Sequence, residues 1–574
     1  MCRGVPLDNN RIIASALLET ARAYEFLDEN PYKVQAYRKA AHAVLQLDEP
    51  LSGVLEKGGL SGIPGIGKTI AARIESWVRG HDFSDLEELR ARIPSGLDEL
   101  LKVPGLGMKR IRILHEQRSI GSVEDLMDAV KEGKVSGLRA FPAKFVSSLP
   151  RALERVMSYR GKFTIDLALA YAEEIRSVLA ASGIQVHLAG QCRRISEIVE
   201  KIEFLVEGGE GEMDKIMGLL KEPRVEIKGG AYEMPPKAVR PALSFIFVSP
   251  DALAARLLIA TGSAGHLDEL KNIAAETGVE IDERGVYRKG EMIAARDEEE
   301  IYRLLGLQYL PPEVREGRDV EMALARSHTV PELIRREDVR GTIHNHTVFS
   351  DGTSTLEEMV LGARERGYQW IGISDHSRSA YYAGGMSQDD IAEQHREIDE
   401  LKARYRDIEI LKGIESDILA DGSLDYPPEI LERFDFVVAS IHTGMDIDRE
   451  TMTKRIVTAL RNPFTTMLAH PTGRILLSRE PYEVDMDAVL EEAFRNNVAL
   501  ELNANPSRLD IDWRLIEPFI SAGGIIVLSP DAHTVEGLDD MEFGLKLARK
   551  GFLTAGACLN SFGAEGVRLF AKKI

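Results

Sequence analysis

Nine residues between positions 344 and 533 carry nitrogen and oxygen donors at spacings that could gather divalent metal ions: His344, His346, Asp351, His376, Glu415, His442, His470, Asp531 and His533. His344 and His346 form an H-x-H pair, and an i, i+2 spacing on a strand turns both side chains to one face. Asp531 and His533 repeat that spacing. Six of the seven histidines after residue 340 fall at or beside the end of a short apolar run. A lone histidine is most often a satisfied core or surface group, and His395, in a helical stretch, keeps that reading. Six at successive run ends do not. Donors in this number suit two or three divalent ions, zinc being plausible from the histidine count, with magnesium also compatible. Such ions neutralise a phosphate ester's charge, lower the pKa of a bound water and stabilise the leaving oxygen. Hydrolysis of phosphate esters is the chemistry expected.

The runs that must position these residues are GTIHNHT, WIGISDHS, IEILKGIES, FDFVVASIH, TTMLAHP, ALELNAN and IIVLSPDAH. They are short, apolar and separated by helical stretches, the pattern of a parallel βα barrel. In such a barrel the strand ends share one rim, where sites lie. Upstream, NRIIASALLETARAYEFL and YKVQAYRKAAHAVLQL show apolar residues at helical spacing, and the first 160 residues read as helices. VHLAG, KIEFLV and LSFIFV predict a mixed α/β domain near 163–250. TVPELIRREDVRG follows Pro311 and Pro312 and reads as a linker.

Composition frames the chain. Its 574 residues exceed one core, and three to five domains are expected. Hydrophobic content of 44% and charged content of 29% fit globular protein. No run approaches the roughly eighteen apolar residues of a membrane helix. MCRGVPLDNNRII lacks a signal-peptide pattern, and Cys2, Cys192 and Cys558 have no metal or disulfide spacing. A soluble protein of a reducing cytoplasm is expected. The net charge of -20 argues against nucleic acid until its distribution is read. Residues 101–160 hold 12 Lys and Arg against 6 Asp and Glu, whereas residues 341–574 hold 24 against 39. The first segment can hold phosphates and the second can hold cations.

One internal repeat stands out. GIPGIGK (62–68) recurs as KVPGLGMK (102–109), each between helical segments. Gly65 and Gly67, like Gly105 and Gly107, let the backbone approach another surface closely. The amides at the following helix N-terminus welcome an anion. Lys68, Lys109 and Arg110 stand beside the turns. One copy would be an ordinary packing corner. Two copies with one layout resemble the helix-hairpin-helix motif, which grips DNA phosphates without reading sequence.

The C-terminal motifs HNHTVFSDG, SDHS, GIESD, SIHTGM, AHPTGR, NANPSRLD and SPDAH resemble, in order, those of the PHP (polymerase and histidinol phosphatase) domain. The resemblance implies one metal on His344, His346, Glu415 and Asp531, a second on Glu415, His442 and His470, and a third on Asp351, His376 and His533. It places Arg474, Asn505 and Arg508 near the substrate phosphate. Thr342 stands where relatives often carry aspartate, outside the expected ligand shell.

The whole layout resembles a bacterial or archaeal family X DNA polymerase. The implied fold is multidomain α plus α/β. A helical lyase-like domain with the first hairpin spans 1–95, and a fingers-like domain with the second hairpin spans 96–160. A nucleotidyltransferase-like palm (161–250), a thumb (251–318) and a linker (319–338) lead to a distorted (βα)7 PHP barrel (339–574). LAGQCRRISEIVEKIEFLVEG fits the palm signature, ATGSAGH the thumb motif, and GVYRKGEMIA with YLPPEVREG the stretch before the linker. The palm departs from its pattern. Nucleotide transfer needs carboxylates on one strand face with a third from a neighbour. Here the first two positions are Lys201 and Glu203, and the third falls near Ala242. Gln191 replaces the serine ahead of Arg193 and Arg194, and Ile259-Ala260 replaces the aromatic pair. At the lyase position Arg73 replaces the Schiff-base lysine, and a guanidinium cannot be that nucleophile.

The expectation is a DNA-repair-type enzyme whose PHP domain hydrolyses phosphoester bonds of gapped, nicked or 3′-end DNA, as a 3′–5′ exonuclease or at abasic sites and blocked 3′ ends, with polymerase activity lost. The rival readings are an active family X polymerase, a small-molecule phosphatase of the histidinol-phosphate kind, and a non-catalytic DNA-end scaffold.

Overall fold

The computed structural model describes residues 9–572 apart from 46, 48–50, 58, 81–83, 210, 221–224, 229 and 237–239. Cys2 lies outside them. The chain divides into two compact units. One holds residues 1–161, 173–183 and 214–222; the other holds the remainder.

The first unit is helical, as its apolar spacing requires. Asn9–Phe26 and Pro31–Leu45 pack through Leu17, Ala21, Ala40, Ala41 and Val44, all fully buried. The helix Lys68–Gly80 joins them through Ile70, Ile74 and Trp77. A second apolar core gathers the helices Met108–Arg118, Val123–Lys131 and Ala143–Ser158 around Leu114, Leu126, Leu149 and Leu153.

In the second unit a five-stranded sheet runs in the order Val186–Ala189, Lys201–Glu207, Ala242–Val248, Ala231–Met234, Glu226–Lys228. Its two central strands are parallel and pair Lys201 with Ala242 and Glu203 with Ser244. The last two strands form a hairpin that the sequence reading did not contain. Next come the helices Leu253–Thr261 and Ala264–Thr277, a three-stranded antiparallel sheet over 279–293, and the helix Glu298–Leu304. The stretch 319–338, expected to be a linker, is ordered structure. Asp319–Ser327 is a helix burying Met322 and Ala325, and the Ile334 amide donates to the Leu553 carbonyl at 2.9 Å.

All seven expected barrel strands form: Gly341–Asn345, Trp370–Ile373, Glu409–Asp417, Phe436–Ser440, Met467–Leu468, Ala499–Asn503 and Ile526–Ser529. They pair in chain order, every pair parallel. A bridge from Asn345 to Ala532 links the last strand's end to the first, so the barrel is nearly closed. Strands buried on both faces read as continuous apolar runs, which is why each was visible in the sequence. The barrel's apolar interior, with Ile343, Trp370, Phe436, Met467 and Val527, is closed by Val567 and Phe570 of the C-terminal helix Ala564–Ala571.

Candidate metal centre and DNA-binding elements

The barrel's C-terminal rim gathers all nine expected ligands. Their donor atoms fall into four overlapping groups, each within 4.8 Å: His344, His346 and Asp531; His344, Glu415 and His470; His376, Glu415 and His442; and His346, Asp351, His376 and His533. Glu415 is the hub. Its Oε1 lies 3.3 Å from His344 Nε2, 3.3 Å from His442 Nε2 and 3.2 Å from His470 Nε2, while Oε2 lies 2.8 Å from His376 Nδ1. Asp351 Oδ1 lies 3.5 Å from His376 Nε2 and 3.2 Å from His533 Nε2.

Local backbone makes this convergence possible. The first strand breaks register between Thr342 and Asn345. His344 sits there at φ 63°, and His470 (28°) and Asp531 (52°) also adopt the left-handed region. Left-handed φ is uncommon for residues with a Cβ, and such strain concentrates at functional sites. The loop carrying Asp351 ends where Thr355 and Glu358 form a capping box for the helix Leu356–Glu365.

The ligands are themselves held. Glu501 and Asp417, which the sequence reading passed over, accept the Nδ1 atoms of His344 and His442, each at 2.6 Å. Glu501 also accepts the His470 amide at 2.5 Å and the Asn503 side-chain amide at 3.2 Å, and it is fully buried. The signal was there: an acid in an apolar core strand for Glu501, and an i, i+2 acid after Glu415 for Asp417. Asp375 is not a ligand; it accepts from the Thr347 amide and hydroxyl, Ser350 and Gln394. Thr342 is buried and outside every ligand group.

The donor set fits cations. His344 Nε2, both ring nitrogens of His346 and Glu415 Oε2 are buried without a hydrogen-bond partner in the protein. Orphaned buried groups of this kind are costly unless something else satisfies them. Burial would raise the Glu415 carboxyl, but His376, His442 and His344 hold it well below the usual range. Burial would lower His442, but Glu415 and the bond to Asp417 carry it up to about 10. His533 rises to about 9 against its own burial through Asp351 and Asp531. His346 is pushed down to about 3 by burial, with His376 adding to the shift.

The substrate-side residues divide. Arg508 lies 3.5 Å from Asp531 and borders the ligands. Asn505 accepts from the Ser507 amide and hydroxyl in a local turn. Arg474 is taken up elsewhere: its guanidinium donates to the Arg508 and Leu509 carbonyls and pairs with Glu197 at 2.6 Å.

Comparison with known proteins adds to this geometry. Residues 342–505 match the PHP domain and 256–316 the DNA polymerase beta thumb. Residues 8–83 match a helix-hairpin-helix domain and 97–141 a SAM-like helix-hairpin-helix tandem. The DNA polymerase/3'-5' exonuclease PolX of Bacillus subtilis (strain 168) is 35% identical over 568 residues, covering 97% of this chain and 98% of that protein. The chain belongs to the PolX family. Shorter relatives match in part: a probable phosphatase of Thermoanaerobacter sp. (strain X514) is 28% identical over 38% of this chain and 89% of its own, and the probable phosphatase YcdX of Shigella dysenteriae serotype 1 (strain Sd197) is 28% identical over 36% and 83%.

The residues at the expected palm and lyase positions are engaged with the protein itself. The Lys201 ammonium lies 3.0 Å from Glu233 and 3.4 Å from Glu203. Gln191 accepts the Glu200 amide at 2.9 Å. Arg193 is bidentate to Glu298 at 2.9 and 2.6 Å and donates to the Thr261 hydroxyl at 2.6 Å. Arg194 donates to the Thr261 carbonyl. Arg73 donates to Tyr37 at 2.6 Å and Tyr24 at 3.3 Å and pairs with Asp85, bracing the first helices.

The hairpins in this PolX chain have the expected shape. Gly65 (φ 91°) and Gly105 (φ 76°) need the left-handed region. Gly67 and Gly107 precede the helices Lys68–Gly80 and Met108–Arg118, and a Cβ on either would meet nothing within 4 Å. Lys68 and Lys109 are exposed. Arg110, expected on phosphate, donates to the Gly105 and Ala140 carbonyls over the Phe145 ring and holds its own turn. Among the described residues no helix is long and apolar enough to cross a membrane.

Proposed function

We propose that this chain is a metal-dependent 3′–5′ exonuclease acting through its PHP barrel, and that its palm no longer transfers nucleotides. The observation that carries the first part is the convergence of nine ligands at the barrel rim, with buried donor atoms of His344, His346 and Glu415 left without a partner, in a chain related over nearly its whole length to a polymerase/3'-5' exonuclease. Two or three divalent ions, manganese or zinc, would be held there. The motifs imply sets of His344, His346, Glu415 and Asp531, of Glu415, His442 and His470, and of Asp351, His376 and His533, whereas the donors lie nearest one another as His344 with His346 and Asp531, Glu415 with His344 and His470, Glu415 with His376 and His442, and His346 with Asp351, His376 and His533. Bound there, they would neutralise the phosphate and lower the pKa of water. The chain's own contribution is positional. Glu501 and Asp417 fix the imidazoles of His344 and His442 by their second nitrogens, as carboxylate–histidine pairs do around metals. Arg508 is the cation available for developing phosphate charge, since Arg474 is engaged. Gly67, Gly107, Lys68 and Lys109 offer amides and ammonium groups to the DNA backbone.

Support for a silent palm is electrostatic. An ammonium bridges the two carboxylates nearest the transfer site, and Ala242 supplies no third. The arginine pair is engaged internally: Arg193 pairs with Glu298, and Arg194 donates to the Thr261 carbonyl and lies 3.6 Å from Glu316.

The test uses protein stripped with a chelator and reloaded with manganese, given a 5′-labelled single strand and, separately, histidinol phosphate. Stepwise shortening only after reloading supports the proposal. Hydrolysis of the small phosphomonoester with an intact oligonucleotide would establish the small-molecule phosphatase reading instead.

A further inference from the structure

Tyr381 and Tyr382 are 85% and 57% exposed, beside a mostly buried ligand cluster in which Asp351 is exposed and His533 half-buried. The Tyr382 ring centroid lies 6.4 Å from that of His376 and 6.3 Å from that of His442, and Tyr381 meets Tyr382 edge-on at 6.1 Å. Scattered surface tyrosines need no explanation. These two differ because the loop carrying them is fastened at both ends. Ala380, Ala383 and Met386 are buried while the tyrosines between them face out. At its start, Ser379 donates its amide to Asp425 at 2.6 Å and its hydroxyl to Asp417 at 2.9 Å. At its end, the Met386 amide donates to the His376 carbonyl at 2.9 Å, and Ser387 with Asp390 forms a capping box for the helix Gln388–Arg404. Asp417, which orients His442, thus also holds the tyrosine loop.

We propose that Tyr381 and Tyr382 are a stacking platform for unpaired nucleobases at a DNA 3′ end, so that the site takes its substrate as a single strand. This rests on the 3′-end hydrolysis proposed above. A phenol ring can stack only on a base that has left the duplex, and every base offers a π-face, so the platform is indifferent to sequence. A base lying on Tyr382 keeps its own phosphate within reach of His376 and His442. Rings fixed by a rigid loop lose little freedom on binding.

The test compares wild type with Tyr381→Ala/Tyr382→Ala and with Tyr382→Phe, all loaded with manganese. The substrates are a single-stranded oligonucleotide and the same oligonucleotide ending in two residues without bases; bound metal is counted for each protein. The double variant should bind wild-type metal and show a KM raised roughly ten-fold or more on the natural end, in line with the loss of base–aromatic stacking. That penalty should vanish on the baseless end, and Tyr382→Phe should keep the wild-type KM because stacking needs no hydroxyl. An unchanged KM in the double variant, or an equal penalty on both ends, overturns this inference while wild-type shortening upholds the nuclease reading. Wild-type protein that shortens neither strand overturns both.

Discussion

The Lys201 ammonium lies 3.0 Å from the Glu233 carboxylate. Glu203, two residues along the strand from Lys201, completes a bridge in which a side-chain cation stands between two acids. Burial pushes the Glu203 carboxyl up even with Lys201 beside it. Removing the ammonium should therefore leave two repelling, part-buried acids. Lys201→Ala is expected to cost about 1 kcal/mol, a modest value because the pair is partly solvated. Added manganese should then raise the variant's melting temperature more than the wild type's, read by calorimetry. Equal manganese responses would contradict the bridging role.

Glu501 touches no metal position itself, yet it fixes His344 through Nδ1. Glu501→Gln keeps the shape and removes the charge. Loss of such a partner typically costs ten- to a hundred-fold in metal affinity. A loss of about that size is expected in competition with a chelating dye. Unchanged affinity would show that His344 is held by packing alone.

Protons should leave when metal enters. In the metal-free protein His442 and His533 titrate at about 10 and about 9, raised by neighbouring carboxylates against the pull of burial. Both hold a proton at neutral pH, and a ligating imidazole must be neutral at the coordinating nitrogen. Metal binding near pH 7.5 is therefore expected to release protons, and affinity should rise with pH until these groups have lost theirs. Zinc titrations by calorimetry in two buffers of different ionisation enthalpy measure the release. Identical heats in both buffers would contradict it.

Much of this was legible in the sequence because few physical rules produce it. Parallel strands buried on both faces leave apolar runs, and all seven were found; ligands at a barrel rim must stand at the ends of those runs, and all nine converge. What was hidden depended on neighbours far along the chain. Glu233 could not be recognised as the partner of Lys201 without the hairpin that carries it. Glu501 looked like a strand oddity until the barrel closed beside His344. The family resemblance placed Arg474 near the phosphate and the hairpin turn placed Arg110 there, but five donors in a fork also suit carbonyl oxygens, and both guanidiniums donate to carbonyls here. TVPELIRREDVRG read as a linker because it follows Pro311 and Pro312, while the helical spacing of Met322 and Ala325 just ahead of it went unread.

The hairpins make a salt-dependent claim. Each lysine that stands on a phosphate releases about one counterion. Lys68→Ala and Lys109→Ala should each reduce the slope of log affinity against log salt by about 1 and weaken binding equally across DNA sequences. Fluorescence anisotropy over a salt series reads this. An unchanged slope would place these lysines off the DNA.

The most direct test uses a 5′-labelled primer on a gapped template with manganese and all four deoxynucleotides, comparing wild type with His344→Ala. The account predicts a primer shortened by wild type, left whole by the variant and extended by neither. Extension by both would mean that a palm carrying Lys201, Glu203 and Ala242 still polymerises, and would contradict it.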